Sequence, residues 1–435
     1  MTRIAVIGAG PMGLRTALDL LKSGHEVDLY EADRVVGGMT AAFDFDGLSI
    51  ERFYHFICTG DQSYIDTLRE LGVEDRLRWV STAMGYYHKG EIKVWGNPVA
   101  LLKFSGLSLI AKFRYGLLIY SSMKRRNWQR LESTDAVSWL VRWLGQDTYD
   151  QLWRPLFDLK FYQFTDNLSA AWIWARMKRL GMSRKNLMEE KLGYLEGGSQ
   201  IFLEAICAEI TRRGGRIHLN SKVDEIVVEN GQVVGVHSNS ELKPCEAAIS
   251  TIPLPFVSQM IPALPAHTRE LYDAVDNIAV VCVLVKLARP YDRYFWLNVS
   301  DENIKIPGII EYTNLNPMSD SVVYVPFYLP GDHPDYQRED SWFVERTRSY
   351  LQKMKPDFDV KDILSIRAGR YRYAQPICPP NFLATLPPME TGIEHLLVAD
   401  TSHYYPEDRS ISESVRLGSK LASTLLAGLA QTHTS

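Results

Sequence analysis

The stretch RIAVIGAGPMGLRTALDLLKSGHEVDLYEADRVVGGMT, Arg3 to Thr40, constrains this chain more than any other. Arg3 to Ile7 has the β-branched, apolar character of a short buried strand. Gly8, Gly10 and Gly13 follow as G-x-G-x-x-G. Gly8 permits a tight turn, Gly10 lets backbone approach a pyrophosphate, and Gly13 lets a helix sit close on the strand. The helix predicted next runs to about Lys22, with Leu14, Ala17, Leu18 and Leu21 in one apolar stripe. Pro11 suits its first turn, where a missing N–H costs nothing. Pro11 and Met12 lie in the turn whose free N–H groups and dipole favour phosphate. After Gly24, a second strand through Val27 and Leu29 ends on Glu31, about 20 residues past the glycines, where a carboxylate accepts both ribose hydroxyls. A carboxylate there repels a 2′-phosphate, so a Rossmann-type site for FAD or NAD is expected, not one for NADP. The segment after Glu31 separates the two. Ala32, Arg34, the pair Gly37-Gly38, Met39 and Thr40 form a second glycine turn that an NAD dehydrogenase does not need, and FAD is favoured.

The totals narrow the remaining choices. A chain of 435 residues is too long for one simple core. A net charge of −4 argues against a nucleic-acid binder working by bulk electrostatics. The five cysteines are scattered, without C-x-x-C, so neither a disulfide framework nor a metal site is expected. Buried free thiols in a reducing, cytoplasmic compartment are the plain reading. The N-terminus has no signal-peptide pattern, and no apolar stretch reaches about 18 residues.

Two further blocks complete the pattern. GYLEGGSQIFLEAICAEITRRGGRIHLNSKVDEIVVENGQVVGV, from Gly193, reads as a helix followed by strands. GIEHLLVADTSHYYPEDRSISESVRLGSKLASTLL, from Gly392, ends in a long helix. With Arg3 to Thr40, these blocks resemble the flavin amine oxidase superfamily, which includes monoamine oxidases, protoporphyrinogen oxidase, phytoene-type desaturases and UDP-galactopyranose mutase. The tone is closest to bacterial proteins labelled protoporphyrinogen-oxidase-like. The resemblance implies an α/β fold: a Rossmann-type FAD-binding domain of the amine-oxidase kind, with two dinucleotide-binding-like motifs, plus an α+β substrate domain with a helical subdomain. It implies a discontinuous FAD-binding domain at 1–80, 193–255 and 388–435. The substrate-binding domain then takes 81–192, mostly helical, and 256–387. Val223 matches a valine that meets the adenine end through its backbone. Asp400 matches the acid near the ribityl or pyrophosphate, and Arg409, Ser410 and Ile411 lead into the helix aimed at the ring.

Departures from the family pattern carry expectations of their own. Met39 stands where the family often has Arg or Lys, so a cation contact near the pyrophosphate is expected either to be missing or to come from Arg34. Ala399 replaces the glycine before the terminal acid. Cys378 is too early to match the cysteine of covalent flavoproteins, so the FAD is expected to be non-covalent. Many amine oxidases place a lysine at the start of a substrate-domain strand. The comparable stretch, DNIAVVCVLVKL, has none around Ala279 and Val280, and Lys286 comes late.

Within this frame the candidate chemistry falls on few residues. His55 in RFYHFI is a candidate proton acceptor or flavin partner; the plainer reading is a satisfied buried histidine. Tyr54 and Arg52 belong to the same stretch. In RYRYAQPICPP, Arg370 and Arg372 alternate with tyrosines, so a strand puts both on one face, where they suit a substrate carboxylate or phosphate. A solvated strand face is the alternative. Arg409 suits the flavin pyrimidine, or else a salt bridge to Glu407 or Asp408. Ser133 and Asp135 read as helix caps, and the tail AQTHTS as irregular. KFRYGLLIYSSMKRR fits either a core helix with a basic end or a helix in peripheral contact with a membrane. Three functions stay open: an FAD oxidoreductase taking a hydride from an amphipathic or apolar small molecule, a non-redox flavin enzyme of the galactopyranose mutase type, and a binding protein like the Rab GDP-dissociation inhibitors. The oligomeric state is not legible.

Overall fold

The computed structural model describes residues 1–432. Strand Arg3–Ile7 is buried on both faces: Ala5 and Ile7 join one core cluster, Ile4 and Val6 another. That explains its continuous apolar run, since a parallel strand is covered by other layers on both sides. It is central in a five-stranded sheet with the order Arg216–His218, Glu26–Tyr30, Arg3–Ile7, Ala247–Ser250, Leu396–Val398. Every pairing in this sheet is parallel. Four of the strands come from the three blocks singled out above; Ala247–Ser250 follows the second block. Helices Pro11–Lys22, Gln200–Arg212 and Ile411–Thr432 pack on the Ile4–Val6 side.

The second body is a seven-stranded sheet ordered Ile363–Pro376, Asn277–Leu287, Ser321–Pro330, Gly308–Glu311, Trp296–Ser300, Met84–His88, Glu91–Trp95. In Asn277–Leu287 every residue after the first is buried. The alternation sorts them: Val280, Cys282 and Leu284 face the main core, while Val281, Val283 and Val285 face helix Asp340–Met354. The first crossing between the bodies falls between strand Leu77–Thr82, paired with Glu190–Leu195, and strand Met84–His88, in the large sheet. The hairpin Met84–His88/Glu91–Trp95 turns through Lys89 and Gly90, both with positive φ.

Residues 98–182 are mostly helical. Asp135 caps helix Ala136–Leu144, accepting from the Ser138 N–H at 2.7 Å. Ser133, by contrast, lies at the C-terminal end of helix Gln129–Glu132. Helix Leu109–Lys124 has its N-terminal charges turned inward. The Lys112 ammonium donates to the Leu102 carbonyl, and the Arg114 guanidinium donates to the carbonyls of Trp143 and Arg142. These two cations serve neighbouring helix ends. The last helix continues through Thr432; the rest of the tail, residues 433–435, lies outside the described residues. Among the described residues no helix is long and apolar enough to cross a membrane.

Candidate active site

The three fingerprint glycines do different work. Gly8 has φ +96°, and a Cβ there would meet Thr251 and Ile252 at under 3 Å. A Cβ on Gly13 would lie 1.9 Å from the Gly8 carbonyl oxygen, so strand and helix can touch only at a glycine. Gly10 is the opposite case: nothing lies within 4 Å of an added Cβ. Its open side faces the cavity, at the start of helix Pro11–Lys22. The second pair packs against the first turn. The Gly37 N–H donates to the Ala9 carbonyl at 2.8 Å, and a Cβ on Gly38 would stand 3.6 Å from the Gly10 Cα.

Glu31 closes this end. One carboxylate oxygen accepts from the Ala9 N–H at 2.8 Å and the other from the Asp33 N–H at 2.9 Å. An ionised carboxylate has about four acceptor sites, so both oxygens keep capacity for ribose hydroxyls. Asp400 closes the other end. It caps a short helical turn, accepting from the Ser402 N–H at 2.8 Å, and also accepts from the Leu254 N–H at 3.1 Å. Burial alone would raise its carboxyl, but His403 and Ser402 hold it below the usual range.

Gly8, Gly10, Glu31, Asp400, Ser410 and Ile411 share one cavity of about 1180 Å³ with residues of the second body. Phe53, Tyr54, Phe56, Tyr115, Leu156, Phe157, Phe161, Ile173, Phe295 and Trp296 give its far part an aromatic and aliphatic wall. His55 stands on the same lining. Its Nδ1 lies 2.7 Å from a carboxylate oxygen of buried Glu51, whose other oxygen accepts from the Ser199 N–H.

Residues 13–402 match the family described as flavin-containing amine oxidoreductase. The chain belongs to that family. Among curated relatives, 15-cis-phytoene desaturase of Synechococcus elongatus is 25% identical over 287 residues. The alignment covers 60% of this chain and 60% of the desaturase, so the chain spans about three fifths of that relative's length. Among solved structures, putrescine oxidase bound to putrescine superposes with a TM-score of 0.74 at 16% identity, covering 98% of this chain and 99% of that one. Reduced UDP-galactopyranose mutase gives 0.75 at 15%, covering 98% and 96%. Likenesses at such identity speak to fold: this is the FAD-binding fold of the amine oxidases.

The cofactor of this flavin amine oxidoreductase is FAD, and the residues present fit it. The open side of Gly10 leaves room for a pyrophosphate beside a helix N-terminus. Glu31 retains free acceptor sites, and the cavity continues past Asp400 to the start of the last helix. Pro11, Met12, Gly38, Met39, Thr40, Arg409, Ser410 and Ile411 all line it. Gly13 and Gly37 act from behind the lining through backbone packing.

Several expected residues stand elsewhere. Arg34 and Ala32 are exposed and off the lining, because the bend after Glu31 turns them outward. The cation beside the trough is instead Arg52, which arrives from the end of strand Leu48–Glu51 and pairs with Asp33 at 2.6 Å. Val223 is buried at the start of its strand and does not reach the cavity. Arg370 touches the cavity wall, but its guanidinium is taken up by the Asp340 carboxylate and by the carbonyls of Tyr336 and Arg338. Arg372 is off the lining. The alternation is as expected, yet Arg370 packs toward helix Asp340–Met354, Arg372 is exposed, and Tyr371 and Tyr373 line the cavity. Arg409 is bonded to neither Glu407 nor Asp408 through its side chain; it donates to the Ala374 carbonyl. Tyr54 is held edge-on between Trp296 and Tyr324, and burial, with Tyr328 beside it, pushes its phenol well above the ordinary value.

The lysine position also resolves. Val280 and Cys282 occupy the cavity side of strand Asn277–Leu287. Lys286 is spent on Asp320 and the Asp46 carbonyl. Lys160 reaches the cavity instead, from helix Arg154–Phe161, with Arg176 from helix Ala170–Met182. Sequence reasoning missed both. The available signal was a cation beside an apolar helix stripe, Lys160 between Phe157 and Phe161. Cys378 is buried and off the lining.

Proposed function

We propose that this flavin amine oxidoreductase removes a hydride from an apolar or amphipathic organic substrate, using non-covalently held FAD. The observation that carries this reading is the continuity of the cofactor trough with an aromatic and aliphatic chamber in one cavity of about 1180 Å³. When bound, FAD supplies a two-electron acceptor. Everything else falls to the chain. The aromatic wall of Phe53, Phe56, Phe157 and Trp296 binds the substrate body and excludes water. Loss of a hydride makes an adjacent proton acidic, and His55 is placed to take it. A carboxylate partner fixes the Nδ1 proton, which leaves Nε2 as the acceptor, and Glu51 stabilises the imidazolium that forms. A nucleotide sugar is strongly polar, and the character of this wall supports the oxidoreductase reading over the mutase one.

The surface supports peripheral membrane contact. Helix Leu109–Lys124 exposes Leu109 by 76%, Ile110 by 73% and Phe113 by 71%. The same helix lines the cavity with Tyr115, Ile119 and Tyr120, and Tyr120 is itself 58% exposed. An apolar substrate could pass from a bilayer along this helix to the chamber without crossing water. The five cysteines are all free, which supports the cytoplasmic side.

The test is anaerobic. Purified protein should be yellow, and a panel of amines, isoprenoids and porphyrinogens should include compounds that bleach it. His55→Ala should keep its flavin and slow that bleaching by about 10²–10⁴-fold. Equal rates in the two proteins would remove His55 from the chemistry; turnover of a nucleotide sugar that requires pre-reduced flavin, with no net electron flow, would overturn the oxidoreductase reading.

A further inference from the structure

Asp408 and Arg409 lie just before the last helix, where the C-terminal cofactor block meets the helical segment. The Asp408 carboxylate accepts from Arg176 Nη2 at 2.8 Å and from the backbone N–H of Arg409 at 2.9 Å. The Arg176 guanidinium lies over the Trp172 ring, 4.2 Å from its centroid, and 5.9 Å from that of Phe161. Lys160 Nζ is 5.8 Å from the same Phe161 centroid and 5.3 Å from that of Tyr328. All four charged residues line the cavity.

The charge count does not close. Three cations surround one carboxylate. Arg179, close by, is closed off by two bonds to Asp61. Among the described residues the Lys160 ammonium has no hydrogen bond and no ion pair, and the Nε groups of Arg176 and Arg409 are buried without an acceptor. Unpaired cations in an apolar chamber are costly. Burial drives Lys160 well below its ordinary value; Arg176 and Arg409 push the same way, and Asp408 only partly opposes them. An anion entering here would meet donors already in place. Lys160 and Arg176 stand on helices that wall the chamber and contribute nothing to the glycine trough.

We propose that Lys160, Arg176 and Arg409 form an anion-binding subsite that takes the carboxylate or phosphate head of an otherwise apolar substrate. This rests on the oxidoreductase reading above and makes it specific: the chamber holds the hydrocarbon body, and the cation cluster fixes its register against the cofactor. Burial disfavours the charged form of Lys160, so binding of an anion favours the proton on its Nζ. The charged and titratable groups facing that atom are Arg176, Arg409, Asp408 and the Tyr328 phenol, with Tyr54 behind it.

The experiment titrates holoprotein and its Lys160→Met variant with octanoate, octyl phosphate and octanol, followed by calorimetry. Lys160→Met keeps length and apolar volume, and an unchanged visible spectrum shows that the trough is intact. Wild type should bind an anion at least about tenfold more tightly than octanol, and the variant should lose that preference. Of octanoate and octyl phosphate, the tighter binder identifies the head group. Repeating the titration in buffers of different ionisation enthalpy should reveal proton uptake in wild type only, with affinity falling as pH rises. Equal binding of octanol and both anions, survival of the preference in the variant, or no binding of either anion would overturn the subsite. A colourless protein would refute the function proposed above yet leave the calorimetric comparison readable; a yellow protein without anion preference would refute the subsite alone.

Discussion

Asp408 shows how one residue couples stability to the site. Burial alone would raise its carboxyl, but Arg176, Lys160 and Arg409 outweigh that and hold it at about 2. A carboxyl held below its ordinary value stabilises the fold above that ordinary value, and the contribution fades as pH falls toward about 2. The size is about 2 kcal/mol. Asp408→Asn should therefore lower the melting temperature at pH 7 and flatten the loss of stability between about pH 4 and pH 2; a variant as acid-sensitive as wild type would contradict the pairing. Gly13 is a steric case. Gly13→Ala places a methyl 1.9 Å from the Gly8 carbonyl oxygen. Strand and helix must part, at a cost of about 1–3 kcal/mol or more, and the purified variant should retain little flavin.

Helix against helix, the first and last elements decide whether the trough stays narrow. Helices Pro11–Lys22 and Ile411–Thr432 cross at Gly418, where an added Cβ would lie 2.5 Å from the Met12 carbonyl oxygen. Thr16 links them, its hydroxyl near the carbonyls of Met12 and Gly418. Both helices begin on the cavity, so Gly418→Val should weaken flavin binding from a position that never touches the cofactor. Gly428 on the same helix has open space around it, and Gly428→Ala should gain up to about 1 kcal/mol with flavin unchanged. On helix Leu109–Lys124 the exposed apolar residues make few contacts within the protein. Replacing Ile110 and Phe113 with serine should leave the stability within about 0.5 kcal/mol of wild type and reduce co-sedimentation with phosphatidylglycerol vesicles. Unchanged sedimentation would remove the membrane contact.

Across the whole molecule, the cofactor trough is built from segments far apart in sequence: residues within 8–40, 251–253 and 400–414 contribute to its lining. A ligand that binds only the assembled form stabilises by mass action, about 4 kcal/mol at a thousandfold excess over Kd. Flavin-stripped protein should therefore melt lower than holoprotein and recover with added FAD; a melting temperature indifferent to FAD would show that these segments do not hold it together. Such long-range closure also explains why the domain divisions are hard to place by eye. Leu77–Thr82 and Met84–His88 are consecutive strands, yet they join different sheets.

Local sequence was enough for the features whose causes are local. The glycines at 8, 10 and 13, the acid at Glu31 and the strand Asn277–Leu287 each follow from spacing, conformational freedom or alternation within a few residues. It also showed that Arg370 and Arg372 share a face. Which layer that face meets was decided by the sheet: strand Ile363–Pro376 lies at its edge, helix Asp340–Met354 claims Arg370, and Arg372 stays exposed. The same holds for Arg52 taking the place expected of Arg34, and for Lys160 entering from a helix where the strand carries Val280 and Cys282. Period and spacing are properties of neighbours along the chain, whereas the direction of a side chain into a shared cavity depends on how separately formed layers pack, and only the tertiary structure contains that.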